Sequence, residues 1–187
     1  MKNFYITLIL LLLFFGCKKT TEVELKTRPI GGDFQLQSEL GAYSLTQSRG
    51  KVVLIYFGFT SCPDVCPTTL SNASQAFKNL KPNEIKNTLM LFITVDPERD
   101  TLNKLQEYSK FFHPQILALT GSVEDIRKAA SLYGATFRKQ ELSSHLGYTM
   151  DHTTSVFVVN KEGKLVGSIP HGSSPDEFKT AIRKALN

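Results

Sequence analysis

The sequence predicts one α/β domain wound around a single sheet, and three observations carry that reading. Val52 to Phe57 is an unbroken apolar run rich in β-branched and aromatic side chains, the mark of a strand buried on both faces, as in a parallel sheet. Strand-like and helix-like segments then alternate to the end of the chain. At 187 residues, the chain has the length of one domain with a full core.

Taken in order, Phe34-Gln35-Leu36 and Tyr43-Ser44-Leu45 alternate around Gly41 and read as a short hairpin. The central strand Val52 to Phe57 ends in a turn, Gly58 to Ser61. A helix then carries Leu70, Ala73, Phe77 and Leu80 on one face, with Pro63 suited to its first turn. Lys81-Pro82-Asn83 breaks the chain. Leu89 to Val95 is a second buried strand. Asp100-Thr101 can cap a helix through Phe112. Ile116 to Leu119 is a third strand, and Ser122 caps a helix that Gly134 ends. Thr136 to Leu142 reads as an extended segment. Ser155 to Val159 and Leu165 to Ile169 form a hairpin across Asn160-Lys161-Glu162-Gly163-Lys164. Ser174-Pro175-Asp176-Glu177 starts the last helix. With two thiols at the first strand-to-helix turn, the order fits a thioredoxin-like architecture best.

Those thiols are Cys62 and Cys66. On a helix, residues four apart share a face, so both sulfurs can converge on one small object. A helix N-terminus favours thiolate over thiol, and thiolates so placed are redox-active or ligands for a soft metal. A structural disulfide or two inert core thiols is the plain alternative. His152, just before the strand Ser155 to Val159, is the third candidate. In a thioredoxin-like fold that loop lies beside the first helix, where a disulfide reductase carries a cis-proline. Residues 149 to 156 contain no proline. Two thiolates and an imidazole suit monovalent copper. Asp151 is placed to orient the imidazole, or merely to cap its loop. Asp96, at a strand end near the same sheet edge, can face the site. Asp64 between the cysteines reads first as a helix cap and second as a nearby charge. His113, His145 and His171 read as surface residues.

The N-terminus is a separate matter. Met1-Lys2-Asn3, the apolar run Phe4 to Phe15, then Gly16-Cys17 follow a signal-peptide pattern too short to span a bilayer comfortably. Cys17 resembles the lipidated residue of a bacterial lipoprotein box, although Phe14 and Phe15 depart from that box. The expected division is a signal peptide over 1–16, a lipidated Cys17 and tether over 17–30, and a folded domain over 31–187. The domain is then exported and held at a membrane of the cell envelope, and Cys62 and Cys66 are the cysteine pair left to its redox chemistry. The net charge of +5 is scattered, with no basic run interleaved with aromatics, which argues against nucleic acid.

Phe57-Gly58-Phe59-Thr60-Ser61-Cys62-Pro63-Asp64-Val65-Cys66-Pro67, Val95-Asp96-Pro97-Glu98-Arg99-Asp100-Thr101 and Asp151-His152-Thr153 together resemble the Sco/SenC family. The resemblance spans Gly31 to Leu186. It implies a thioredoxin-like fold with an added hairpin. It also implies copper held by Cys62, Cys66 and His152, and a role in assembling the binuclear copper centre of cytochrome c oxidase, with that enzyme's copper-bearing subunit as partner. Three other functions stay in view. A thiol–disulfide oxidoreductase or redox sensor is supported by the two cysteines but opposed by their three-residue spacer. A peroxidase is opposed by the position of Thr60. A structural zinc site is opposed by the presence of three soft ligands where four are wanted.

Overall fold

The computed structural model describes residues 31–143 and 147–187. The expected signal segment, Cys17 and its tether, and His145, lie outside the described residues.

The strand expected at Val52 is the centre of the molecule. Strand β1 (Gln35–Ser38) and β2 (Gly41–Ser44) form the first hairpin, and β3 (Val52–Gly58) follows. All seven residues of β3 are buried. Helix α1 (Val65–Lys78), the short α2 (Pro82–Lys86), β4 (Thr88–Thr94), α3 (Leu102–Phe112), β5 (Ile116–Leu119) and α4 (Val123–Leu132) come next. After them come β6 (Phe137–Glu141), β7 (Tyr148–His152), β8 (Val156–Val159), β9 (Leu165–Ile169) and α5 (Pro175–Leu186). The main sheet has the order β5-β4-β3-β8-β9. β4 runs parallel to β3 from Val52 beside Thr88 to Gly58 beside Thr94, and β5 runs parallel to β4. β8 is antiparallel to β3, and β9 to β8.

The period-two alternation of a strand sends neighbours on β3 to opposite faces. Tyr56 meets Phe92 at 6.1 Å between ring centres, whereas Phe57 meets Tyr133 and Phe157. Each large apolar side chain buried here is worth about 1.5–3 kcal/mol. Packing, rather than local propensity, therefore fixes where β3 lies.

Three segments differ from expectation. Pro82 opens a short helix rather than a break, because the Glu84 carboxylate accepts the Lys81 amide at 2.8 Å. The extended segment expected over Thr136 to Leu142 is β6, and it pairs antiparallel with β7, Phe137 beside His152, in a hairpin separate from the main sheet. What reads as a loop before β8 is therefore largely a strand. His113 is half-buried rather than on the surface. Its ring lies 5.2 Å from Phe77, its Nδ1 accepts the Gln115 amide, and burial and then Lys78 lower its pKa.

The turn after β3 is held by a buried carboxylate. Asp100, 1 % exposed, accepts the Thr60 amide at 3.0 Å, the Thr60 hydroxyl, and the Thr94 hydroxyl at 2.7 Å. It thereby ties the end of β3 to the end of β4 and the start of α3. Removing it orphans several donors at once, the situation in which lost hydrogen bonds are most costly. Asp100→Ala is expected to lower unfolding free energy by about 2–4 kcal/mol in urea titration. A change under about 1 kcal/mol would mean that apolar packing alone holds the turn.

Candidate metal centre

Cys66 sits where α1 begins, at the end of β3, and is fully buried. The fit is tight because β3 ends in glycine. A Cβ at Gly58 would lie 2.9 Å from the Cys66 sulfur and 2.7 Å from the Phe92 ring. From the other side the buried Tyr56 hydroxyl donates to Cys66 Sγ at 3.5 Å.

Cys62 is not on the helix. α1 starts at Val65, so Pro63 lies before it and Pro67 occupies the first turn. The sulfurs meet because the turn folds back over the helix end. The Cys66 amide, one of the N-terminal donors a helix leaves unpaired, donates to Cys62 Sγ at 3.4 Å. Cys62 is half-buried.

His152 arrives from the last residue of β7. Its Nε2 lies 3.8 Å from Cys66 Sγ. Its Nδ1 is 3.0 Å from the Thr153 carbonyl. A carbonyl only accepts, so Nδ1 carries the proton and Nε2 presents its lone pair to the sulfurs. Phe59 and Tyr56 stand edge-on to the imidazole, with centroids 5.8 and 6.2 Å away. The ring also lines a cleft of about 270 Å³ with Thr136, Phe137, Arg138, Asp151 and Thr153.

The ligand atoms of Cys62, Cys66 and His152 all lie within 4.8 Å of one another. With thiolate and imidazole bonds of about 2.3 and 2.0–2.1 Å, a trigonal centre places sulfur and nitrogen about 3.8 Å apart. The Cys66–His152 separation matches that value, so the donors fit a late transition-metal ion.

The two thiols are electrostatically unequal. The hydrogen bond from Cys66 holds the Cys62 thiol far below its ordinary pKa; burial opposes this, while the Cys66 and Asp64 amides add to it. The same interaction, followed by burial, pushes Cys66 up. Cys62 is the ready thiolate and Cys66 the reluctant one.

The three acidic candidates take other partners. Asp151 pairs with Arg138 at 2.9 Å, and the Thr153 carbonyl, rather than Asp151, orients the imidazole. Asp96 is buried and engaged by Arg99 and by the Tyr148 hydroxyl at 2.9 Å. Asp64 makes no side-chain cap and instead accepts the Thr68 hydroxyl at 3.2 Å. His171 is exposed, its Nδ1 3.3 Å from the Thr69 hydroxyl. Tyr56 and Asp100 went unnoticed among the candidates. A tyrosine inside an otherwise hydrocarbon strand was the available signal, since a buried hydroxyl needs a partner.

Residues 22–187 match the SCO1/SenC family. The chain belongs to that family. A SCO2-like protein of Rickettsia conorii is 36% identical over 156 residues, spanning 82% of this chain and 76% of that protein. A mitochondrial SCO1 homologue of Arabidopsis thaliana is 38% identical over 158 residues, or 84% of this chain and 47% of that protein. Among solved structures, the copper-bound ScoI of Bradyrhizobium japonicum superposes with a TM-score of 0.75 at 34% identity, covering 84% of this chain and 99% of the other. Copper-bound ScoI of Arabidopsis thaliana gives 0.78 at 34%, covering 84% and 98%. These Sco neighbours share the thioredoxin-like fold read from the sequence.

The asymmetry of the thiols has a direct readout. Iodoacetamide is expected to modify Cys62 before Cys66 in the reduced protein, and the Cys62 rate to stay nearly flat from about pH 8 to about pH 6, where an ordinary thiol of pKa about 8.5 slows about tenfold per pH unit. A tenfold loss per unit at Cys62 would show that its thiolate is not stabilised.

Proposed function

We propose that this Sco-family protein is a copper metallochaperone that binds copper through Cys62, Cys66 and His152 and assists assembly of the binuclear copper centre of cytochrome c oxidase. The observation that carries the reading is the convergence of two thiols and an Nδ1-protonated imidazole within 4.8 Å, in a chain whose solved relatives include copper-bound proteins. Thiolate-rich sites with one imidazole select soft monovalent copper. Cys66 is the fixed donor; Cys62 and His152, both half-buried, are the donors an incoming ligand can replace. The copper-bearing subunit of the oxidase is the proposed recipient.

A second reading, thiol–disulfide exchange on a partner's cysteines, is favoured by the ready Cys62 thiolate beside the protonated Cys66 thiol. Cys62 attacks a partner disulfide and releases one partner thiolate; the Cys66 thiol then passes its proton to that thiolate, closes on Cys62 and releases the second partner thiolate. A Cys62–Cys66 disulfide cannot bind copper, so the two activities exclude each other at one site.

No helix among the described residues is long and apolar enough to cross a membrane. The apolar run Phe4 to Phe15 followed by Gly16-Cys17 supports attachment by a lipid on Cys17, holding the domain outside the cytoplasm.

Titration of the reduced protein with Cu(I) is expected to give one ion per chain, and His152→Ala to weaken binding at least tenfold with unchanged circular dichroism. Full affinity in the variant would remove His152 from the site, and no binding at all together with rapid disulfide exchange would favour the second reading. Separately, Cys17→Ala is expected to abolish labelling by radioactive palmitate in growing bacteria; persistent labelling would refute the lipid attachment.

A further inference from the structure

The sheet topology divides the charge of the molecule between its two ends. Cys62, Cys66 and His152 lie beyond the carboxyl end of β3. The opposite end gathers Lys51, just before β3; Lys81, just before α2, and Lys86, its last residue; Lys161 and Lys164, in the β8–β9 turn; and Lys184, in the last turn of α5. That end is one surface: the Gly50 amide donates to the Lys161 carbonyl at 2.9 Å, and Lys161 and Lys184 line a common groove with Val166. Among the described residues, none of these six lysines lies within ion-pair distance of a carboxylate. Glu84 and Asp33 on the same side are each taken by an arginine, Arg183 and Arg49, and Glu162 is left to oppose the lysines. At the thiol end most cations are matched, Lys104 with Asp100, Arg138 with Asp151, and Lys139 with Glu98, while Arg127 lies over the Phe137 ring.

The chain also enters the domain at the lysine end. The Gly31 amide bonds the Leu132 carbonyl at 3.1 Å, and a Cβ at Gly31 would touch Leu165, the first residue of β9. We infer that this lysine face rests against an anionic lipid surface and holds the Cys62–Cys66–His152 end pointing away from the bilayer. The inference rests on the lipid attachment proposed above. A tether over 17–30 is long enough to let either end approach the membrane, so the charge decides the orientation. Unmatched lysines are drawn to an anionic headgroup layer within about a Debye length, while Val166, 52 % exposed among them, adds apolar contact. The thiol end, with Lys104, Arg138 and Lys139 already paired, gains less from that layer.

The test uses the full chain in vesicles of phosphatidylcholine alone and of phosphatidylcholine with phosphatidylglycerol. Brief acetylation with an N-hydroxysuccinimide ester is read by mass spectrometry at each lysine. In the anionic vesicles, Lys51, Lys86, Lys161 and Lys164 are expected to react at least threefold more slowly than in the neutral ones, with Lys139 and Lys179 unchanged. The protection is expected to vanish in about 1 M salt, where the Debye length is about 3 Å. Changing Lys51, Lys161, Lys164 and Lys184 together to Gln is expected to remove the protection of Lys81 and Lys86. Equal acetylation in both vesicle types overturns the inference and leaves the face to an acidic protein. Flotation on the neutral vesicles reads the lipid attachment by itself: a chain that floats there without composition-dependent protection is attached but not oriented. A chain that floats only on the anionic vesicles is held by its lysines without the lipid.

Discussion

The geometry of the candidate site depends on one constraint: β3 is buried on both faces, paired on both edges, and ends in a residue without a side chain. Because nothing projects from Gly58, the start of α1 packs directly on the strand end and the Cys66 sulfur fills the space. Tyr56 closes the position from within the core. Interiors are packed as densely as organic crystals, so Cys66 has little freedom. The other donors are brought to it, Cys62 by a turn laced to Asp100 and His152 by a hairpin. The site has one rigid donor and two that ride on softer structure.

The hairpin is the softer of the two supports, since it shares no strand pairing with the main sheet. Arg99 and Asp96 attach it through Tyr148, whose carbonyl accepts from Arg99 at 3.0 Å, while Lys139 braces the same ring from within the hairpin. Tyr148 lies between the Arg99 guanidinium at 3.7 Å and the Lys139 ammonium at 3.8 Å, and its hydroxyl reaches Asp96. Each cation–π contact is worth about 0.5–2 kcal/mol. Tyr148, Met150 and His152 alternate onto one face of β7, so fixing Tyr148 aims His152 four residues later. Asp96 and Arg99 thus act on the site from a distance, through the strand that carries its nitrogen donor. This is the role the acidic strand end fills in place of a direct contribution to the donor set.

Much of this was legible in the sequence, and the gaps have physical causes. β3, β4, β5 and β8 are buried apolar runs, and α3, α4 and α5 begin at Thr101, Ser122 and Ser174, whose hydroxyls each accept the amide three residues on. Such signals are local and survive in one dimension. The β6–β7 pairing is not local: of the five residues of β6 only Phe137 is buried, so no alternation marks the strand. The thiol pair was legible as a pair, but its geometry was not. Convergence was assigned to helical spacing, whereas Cys62 lies before the helix and a backbone amide draws its sulfur in. Tyr56 was hidden by its neighbours, since within an apolar run its ring predicts burial and its hydroxyl predicts nothing about direction. Asp151 was read from adjacency to His152, but adjacent strand residues point to opposite faces, and it turns to Arg138 instead.

In the proposed site, three donors of unequal burial bear on why metal binding and thiol exchange would exclude each other. A closed four-ligand shell would hold an ion for structure. Here Cys66 is enclosed, while Cys62 and the imidazole border solvent, so a competing thiolate can approach from the open side and take their place one at a time. When no ion neutralises the sulfurs, the Cys66 amide and the protonated Cys66 thiol keep Cys62 ionised. That ionisation readies Cys62 for a soft cation and equally for a disulfide. Closing the disulfide requires the sulfurs to approach to about 2.05 Å, and with Cys66 wedged against Gly58 the movement falls to Cys62 and its turn. The hydrogen bonds from Thr60 to Asp100 therefore bear on both outcomes. They hold Cys62 beside His152, and they resist the shift that would remove it from that position.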